Sequence, residues 1–227
     1  MREVFSEIER WKKEGRKIAI ATNVRKGGSS LRPLGAKMVM TADGRIAGSV
    51  TGGCIESAVY EEGQATIKSG IPKLLQYGIT REETPWEVGL ICGGSLDVLV
   101  ESLDSPQWHA LYPTLKTCIN ENRPVAVATG ITGDGLGNKF LIQVDGRTLG
   151  SLGEVALNTD VVNWVRGRMD VQETACKSFG AVDVFVDILP SLPRMVVIGA
   201  VHLAIPLVTM ARTLGYRTIV VDPRVAF

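Results

Sequence analysis

Two groups of residues near the start of the chain have the types and spacing to do chemistry. Gly27, Gly28, Ser29 and Ser30 are followed closely by Arg32. Backbone N–H groups, two hydroxyls and a guanidinium in one short loop can form a nest for an anion such as phosphate. Pro33 favours an extended Arg32. The plainer reading of such a loop is a flexible turn. The second group is Gly52, Gly53 and Cys54, at the start of a predicted helix. The helix dipole and free N–H groups there favour thiolate over thiol, and the glycines let backbone approach a ligand. Cys54 then reads as a thiolate that ligates a soft metal or carries sulfur. Its plainer reading is a small buried residue packing a helix end. Cys92, Gly93 and Gly94 precede a strong strand and can face the same site or serve only as a strand end. Glu56 can tune the thiol or stabilise the helix N-terminus. Lys37 reads as a solvated strand-edge lysine, because Lys139 occupies the matching place later in the chain.

The elements that must position these groups follow from periodicity. Val4, Phe5, Ile8 and Trp11 share one face of an N-terminal amphipathic helix. Residues 17–24 (KIAIATNV) form a buried strand. Residues 36–41 and 45–50 form a hairpin around Asp43-Gly44. A helix over 55–69 is closed by Gly70. LLQY is a short strand candidate, and 96–100 (LDVLV) a strong one. After a helix over 106–122 the pattern begins again. RPVAVATGI matches RKIAIATNV, GNKFLIQVDGRTLGS matches GAKMVMTADGRIAGS, and GAVDVFVDIL matches GSLDVLVESL. The order implies an internal duplication, with repeats at 16–103 and 123–189 in a mixed α/β domain spanning 1–190. The second copy has a helix over 154–166, a shorter turn with Asp134 and no arginine, Glu154 near the place of Cys54, and Phe179 near that of Gly93. Features confined to the first copy are therefore the better candidates for chemistry.

From residue 193 the chain reads as strand 195–198, helix 203–214 and strand 217–221 ending at Asp222. This is an incomplete, Rossmann-like βαβ unit, expected to be cut short at Phe227. Val201 replaces the glycine through which a pyrophosphate approaches, so NAD is not expected here.

Composition narrows the field further. A net charge of +1 over 227 residues argues against binding nucleic acid through overall charge. No run approaches the length of a membrane span, and the charged N-terminus is not a signal peptide. Cys54, Cys92, Cys118 and Cys176 are widely spaced, which argues against a zinc ribbon or disulfide framework and for a reducing cytoplasm. Cys118 and Cys176 read as structural, and the isolated His109 and His202 offer no histidine metal site.

GSSLRPLGAKM, GSVTGGCIE, GLICGGSLDVLVE and the tail VIGAVHLAIPL…VVDPR together resemble the XdhC/CoxI family of molybdenum hydroxylase accessory proteins. The resemblance implies a chaperone that binds the molybdenum cofactor (molybdopterin) transiently and guards it during sulfuration. It would then pass the cofactor to an apo-hydroxylase such as xanthine dehydrogenase or carbon monoxide dehydrogenase. It also implies a cysteine desulfurase partner, a homodimer and no catalysis of its own, with Cys54 holding the cofactor's metal. The sequence departs from the family pattern at Leu31 and at Val201. The alternatives are a nicotinamide-dependent oxidoreductase, a thiol enzyme with Cys54 as nucleophile, and an inactive or split paralogue with an interaction role.

Overall fold

The computed structural model describes residues 1–28, 32–53, 55–78 and 94–224. Two compact units are present, Met1–Leu189 and Pro190–Phe227. The first runs one element order twice. Its first half is α1 (Arg2–Lys13), β1 (Ile18–Gly27), β2 (Lys37–Thr41), β3 (Ile46–Gly48), α2 (Glu56–Ser69), β4 (Lys73–Tyr77) and β5 (Ser95–Ser102). Its second half is α3 (Pro106–Asn120), β6 (Val125–Gly130), β7 (Lys139–Gln143), β8 (Thr148–Gly150), α4 (Val155–Val171), β9 (Ala175–Phe179) and β10 (Val182–Leu189). The sheets have the same order, β3-β2-β1-β5-β4 and β8-β7-β6-β10-β9, and every pairing in them is antiparallel.

The central strands are buried on both faces because each sheet is covered on both sides. Ala19, Ala21, Val98 and Val100 meet Val59 and Ile67 of α2. Ala126, Ala128, Val184 and Val186 meet Val161 and Val165 of α4 in the same way. The opposite strand faces, Ile18, Ile20, Val125 and Val127, share one core with α1 and α3 through Val4, Ile8, Trp11, Leu111 and Leu115. Burying each such side chain is worth about 1.5–3 kcal/mol. The expected face of α1 is the buried one, with Phe5 at its margin. Gly70 closes α2 in the left-handed conformation, as expected. Gly48 and Gly150 end β3 and β8 at φ +75° and +87°. A Cβ on either would lie 2.3 Å from the carbonyl oxygen of Lys37 or Lys139 respectively, so both positions require glycine.

Charges are buried between the sheets. Lys37 Nζ lies 2.8 Å from Asp187, and Lys139 Nζ lies 2.9 Å from Glu101 and 3.1 Å from the Thr129 hydroxyl. Lys37 and Lys139 are 3% exposed, so the expectation of a solvated strand-edge lysine is corrected. The registers are equivalent: Lys37 pairs with Thr22 and Lys139 with Thr129, while Glu101 pairs with Ile20 and Asp187 with Val127. Each lysine thus reaches the carboxylate of the other half. Burial would raise the Asp187 carboxyl, but Lys37 and the Met1 amine 4.0 Å away hold it below its ordinary value. Burial pulls the Lys139 ammonium down, with Glu101 opposing. Beyond this layer, Arg25 bridges Asp97 at 2.7 Å and Asp183 at 2.6 Å, again one residue from each half.

The second unit pairs β11 (Arg194–Ile198) with β12 (Arg217–Val221) in parallel through α5 (Ala204–Thr213), a βαβ unit. Ile198, Leu203, Ile205 and Met210 are exposed.

Lys139→Met alone should cost about 3–5 kcal/mol in urea unfolding, because Glu101 is stranded without a partner. Adding Glu101→Leu should recover most of that loss. A double variant as unstable as the single one would show that the pair does not act as a unit.

Candidate functional site

The register of the first sheet gathers the predicted groups at one end. β1 finishes there at Gly27, β2 begins at Lys37, β3 finishes at Gly48 and β5 begins at Ser95. Gly27 is the register partner of Ser95. Three connections therefore leave from the same sheet end: the loop between β1 and β2, the turn from β3 into α2, and the segment entering β5. Close contact is built in at Gly27, where a Cβ would fall 2.5 Å from the Ser95 hydroxyl. Gly94 is buried just before Ser95. Ser29, Ser30, Cys54, Cys92 and Gly93 lie outside the described residues, so only the flanks of their segments are placed here.

Those flanks are tied together. Arg32 Nε donates to the Ser49 carbonyl at 3.2 Å, and its guanidinium pairs with Glu3 of α1 at 2.5 Å. The loop's arginine is thereby fixed against Ser49, which precedes the Gly52–Gly53 turn.

The turn is organised by Glu56, whose role the sequence left open. Oε1 accepts from the Ser49 hydroxyl at 2.6 Å and from the N–H groups of Thr51 and Gly52, each at 2.9 Å. Oε2 accepts from the Thr51 hydroxyl at 2.6 Å and from the N–H groups of Gly53 at 2.9 Å and Ile55 at 3.3 Å. Gly52 and Gly53 have φ of +98° and +126°, which turn their N–H groups toward one point. The glycine turn is thus a nest of N–H groups formed around the protein's own carboxylate. Burial would raise the Glu56 pKa, but the hydrogen bonds from Ser49, Thr51 and Gly52 override it and lower it from 4.5 to about 2. Both chain neighbours of Cys54 donate to Oε2, so this residue fixes the backbone on either side of the cysteine.

The second half builds the equivalent turn differently. Counting from the shared glycines, Gly48 and Gly150, places Asn158 at the position of Glu56 and Ala156 at that of Cys54. Glu154 takes the position of Gly52, two residues before the cysteine's place. Asn158 accepts from the Leu152 N–H at 2.9 Å and donates to Ser151 at 2.9 Å. Helix α4 begins at Val155, the counterpart of Gly53, whereas α2 begins only at Glu56. The extra glycines and the carboxylate thus replace a first helical turn with an open loop. The signal in the sequence was the pairing of Gly52-Gly53 with a glutamate a few residues on.

Other residues are placed as follows. Cys118 is fully buried, and Cys176 is half-buried beside Arg25, with burial pushing both thiols up. In the second unit, Asp222 accepts from the Ala200 N–H at 2.6 Å and pairs with Arg224 at 2.7 Å. Arg224 and these N–H donors hold the Asp222 carboxyl well below the usual carboxylate range. Asp222 is thus engaged by the turn after β11 and by Arg224. Among the described residues no group of three or more His, Cys, Asp or Glu side chains could hold a metal ion, and no helix is long and apolar enough to cross a membrane.

Residues 11–78 match the XdhC and CoxI family, a span that contains the Gly27–Arg32 loop and the Gly52–Glu56 turn. The match covers two of the four segments on which the resemblance was read. Over 94 residues the chain is 38% identical to the molybdenum cofactor insertion chaperone PaoD of Escherichia coli, covering 41% of this chain and 29% of that protein. It is 24% identical over 214 residues to a probable xanthine dehydrogenase subunit of Bacillus subtilis, covering 92% of this chain and 60% of the relative. The chain thus spans less than two thirds of each of these relatives. A crystal structure described as a xanthine dehydrogenase from Bacillus halodurans shares the fold, with a TM-score of 0.74 at 23% identity over 96% of this chain and 62% of that one.

Glu56→Gln should destabilise the protein by about 1–2 kcal/mol at pH 7, since one oxygen becomes a donor facing N–H groups and the site is partly solvated. The sign with pH follows from the lowered folded pKa. The carboxylate's contribution is complete above about pH 4.5 and is lost as the pH falls toward about 2. The difference between wild type and variant in thermal unfolding should be flat from pH 8 to 5 and shrink below that. A constant gap down to pH 2 would show that the ionised carboxylate is not what holds the turn.

Proposed function

We propose that this chain binds the molybdenum cofactor and acts in the maturation of a molybdenum hydroxylase as a carrier, without catalysing a reaction itself. The observation that carries the reading is the family match over residues 11–78. It covers the β1–β2 loop and the turn from β3 into α2, two of the three connections at one end of the first sheet, and the similarity to a molybdenum cofactor insertion chaperone supports it. In this reading Cys54 supplies a thiolate to the soft metal. Ser29, Ser30 and Arg32 receive the cofactor's phosphate. Gly52, Gly53, Gly94 and the Cys92–Gly93 segment let the ligand approach backbone. Arg32, held against Ser49 and Glu3, adds positive charge next to the turn.

A phosphate and a metal-bound thiolate need a cation, N–H donors and a cysteine on adjacent segments. Arg32 supports the first, whereas the N–H groups of the Gly52–Gly53 turn are already held by Glu56, so the phosphate is assigned to the Ser29–Arg32 loop. Glu56 keeps the glycine turn open and its N–H groups collected, at the cost of a negative charge close by. That charge weakens anion binding. It suits a carrier that must release its cargo. Protection of the cofactor during sulfuration, delivery to an apo-hydroxylase such as xanthine dehydrogenase, a cysteine desulfurase partner, a cytoplasmic location and a homodimer complete the proposal.

The test is anaerobic purification from cells making the cofactor, followed by molybdenum and pterin quantification. Wild type should retain both together, and Cys54→Ala should lower retention at least about tenfold with an unchanged unfolding curve. Equal retention by the variant would remove Cys54 from the site.

A further inference from the structure

The repeat implies a counterpart to the end of the first sheet. In the second sheet β6 finishes at Gly130, β7 begins at Lys139, β8 finishes at Gly150 and β10 begins at Val182. A cavity of about 630 Å³ opens there, lined by Asp134, Asn138, Gly153, Glu154 and Phe179 among others. A second cavity, of about 670 Å³, shares Glu154, Leu157, Phe179 and Gly180 with it and extends along α4 past Asp160 to Trp164. No neighbouring atom lies within 4 Å of where a Cβ on Gly133, Gly153 or Gly180 would stand, so the backbone rim is open to a ligand.

The chemistry of this cleft differs from that of the first sheet end: three carboxylates and one lysine, Lys177, line it, with no arginine. The carboxylates of Asp134, Glu154 and Asp160 carry no hydrogen bond or ion pair among the described residues, which disfavours a phosphate. Trp164 and Phe179 meet edge to face, with centroids 5.6 Å apart, and both rings are half-buried at the cleft wall. Lys177, exposed, lies over both rings, 4.9 Å from the Phe179 centroid and 5.9 Å from that of Trp164. Aromatic surface with free carboxylates suits a flat ligand that donates rather than accepts. A ring N–H beside an exocyclic amino group presents two parallel donors to a carboxylate, in the bidentate geometry that such groups favour.

We infer that the cleft at the end of the second sheet is a second binding site, for a 2-amino-4-oxo heterocycle of the guanine or pterin class. The N–H edge of the heterocycle faces Glu154 or Asp134, and its ring lies against the Phe179–Trp164 wall. The proposal extends the cofactor reading to the other half of the repeat, but it rests on the chemistry of this cleft and not on Cys54.

The experiment is calorimetric titration of the full chain with 6-hydroxymethylpterin, guanosine, adenosine and inorganic phosphate. Adenosine presents an acceptor where guanosine presents its ring N–H. Saturable one-to-one binding of the pterin, guanosine or both is expected, at least about tenfold tighter than adenosine, with no heat from phosphate. The arm that binds tighter identifies pterin or nucleobase as the source. Glu154→Gln and Asp134→Asn, both at exposed positions that leave the core untouched, should together weaken that binding at least about tenfold. Absence of binding by both heterocycles, or binding indifferent to the double substitution, overturns the proposal. Repeating the titration on Cys54→Ala separates the two sites. Binding that survives belongs to the second cleft whatever becomes of the carrier reading, and binding that vanishes with Cys54 overturns the assignment.

Discussion

Two lysine–carboxylate pairs, buried between the sheets and crossed between the halves, constrain everything else in the first unit. Lys37 with Asp187 and Lys139 with Glu101 stand at equivalent register positions, so neither sheet can slip relative to the other without stranding a charge. Apolar side chains would tolerate several sheet-on-sheet arrangements; ion pairs at this depth tolerate very few. Arg25 extends the constraint by holding Asp97 and Asp183, one from each half, at a second level. The layer contributes little net stability once desolvation is counted. Its effect is to fix how the two halves meet, and through β2 and β7 to fix the two sheet ends.

That layer also marks where reading the sequence ran out. The repeat, the two hairpins, the helices after them and the βαβ tail were legible, because each rests on local periodicity or on a turn with few solutions. Strand β9 was missed: ACKSF has one bulky apolar residue and lies on a sheet edge, so its pairing with β10 is set by the neighbouring strand and not by its own pattern. Lys37 was misread for a related reason. A lysine at the start of a strand is ordinarily solvated, and its partner Asp187 lies far along the chain. The clue was present in duplicate, since a lysine recurs at Lys139 and an acidic residue at both Glu101 and Asp187, but only the meeting of the sheets gives it meaning.

Within the candidate site, residue types were legible and their division of labour was not. Gly52, Gly53 and Arg32 stand out by composition. That the glycine N–H groups converge on Glu56 depends on the φ angles of the turn and on where α2 starts, which one sequence cannot supply. The contrast with Asn158 is instructive. A neutral amide with fewer bonds suffices where the helix begins early, whereas a fully ionised carboxylate is needed where the helix's first turn has been opened into a loop.

The same scaffold thus reaches two opposite ends by small local changes. One end has glycines, an arginine and a late-starting helix; the other has an early helix, carboxylates without a partner among the described residues, and an aromatic wall. Strand order and buried pairs are common to both, so the differences lie in connections that the core does not constrain. A repeated scaffold allows such divergence without a second fold, because a substitution in one connection leaves the crossed ion pairs, and therefore the opposite sheet end, in place.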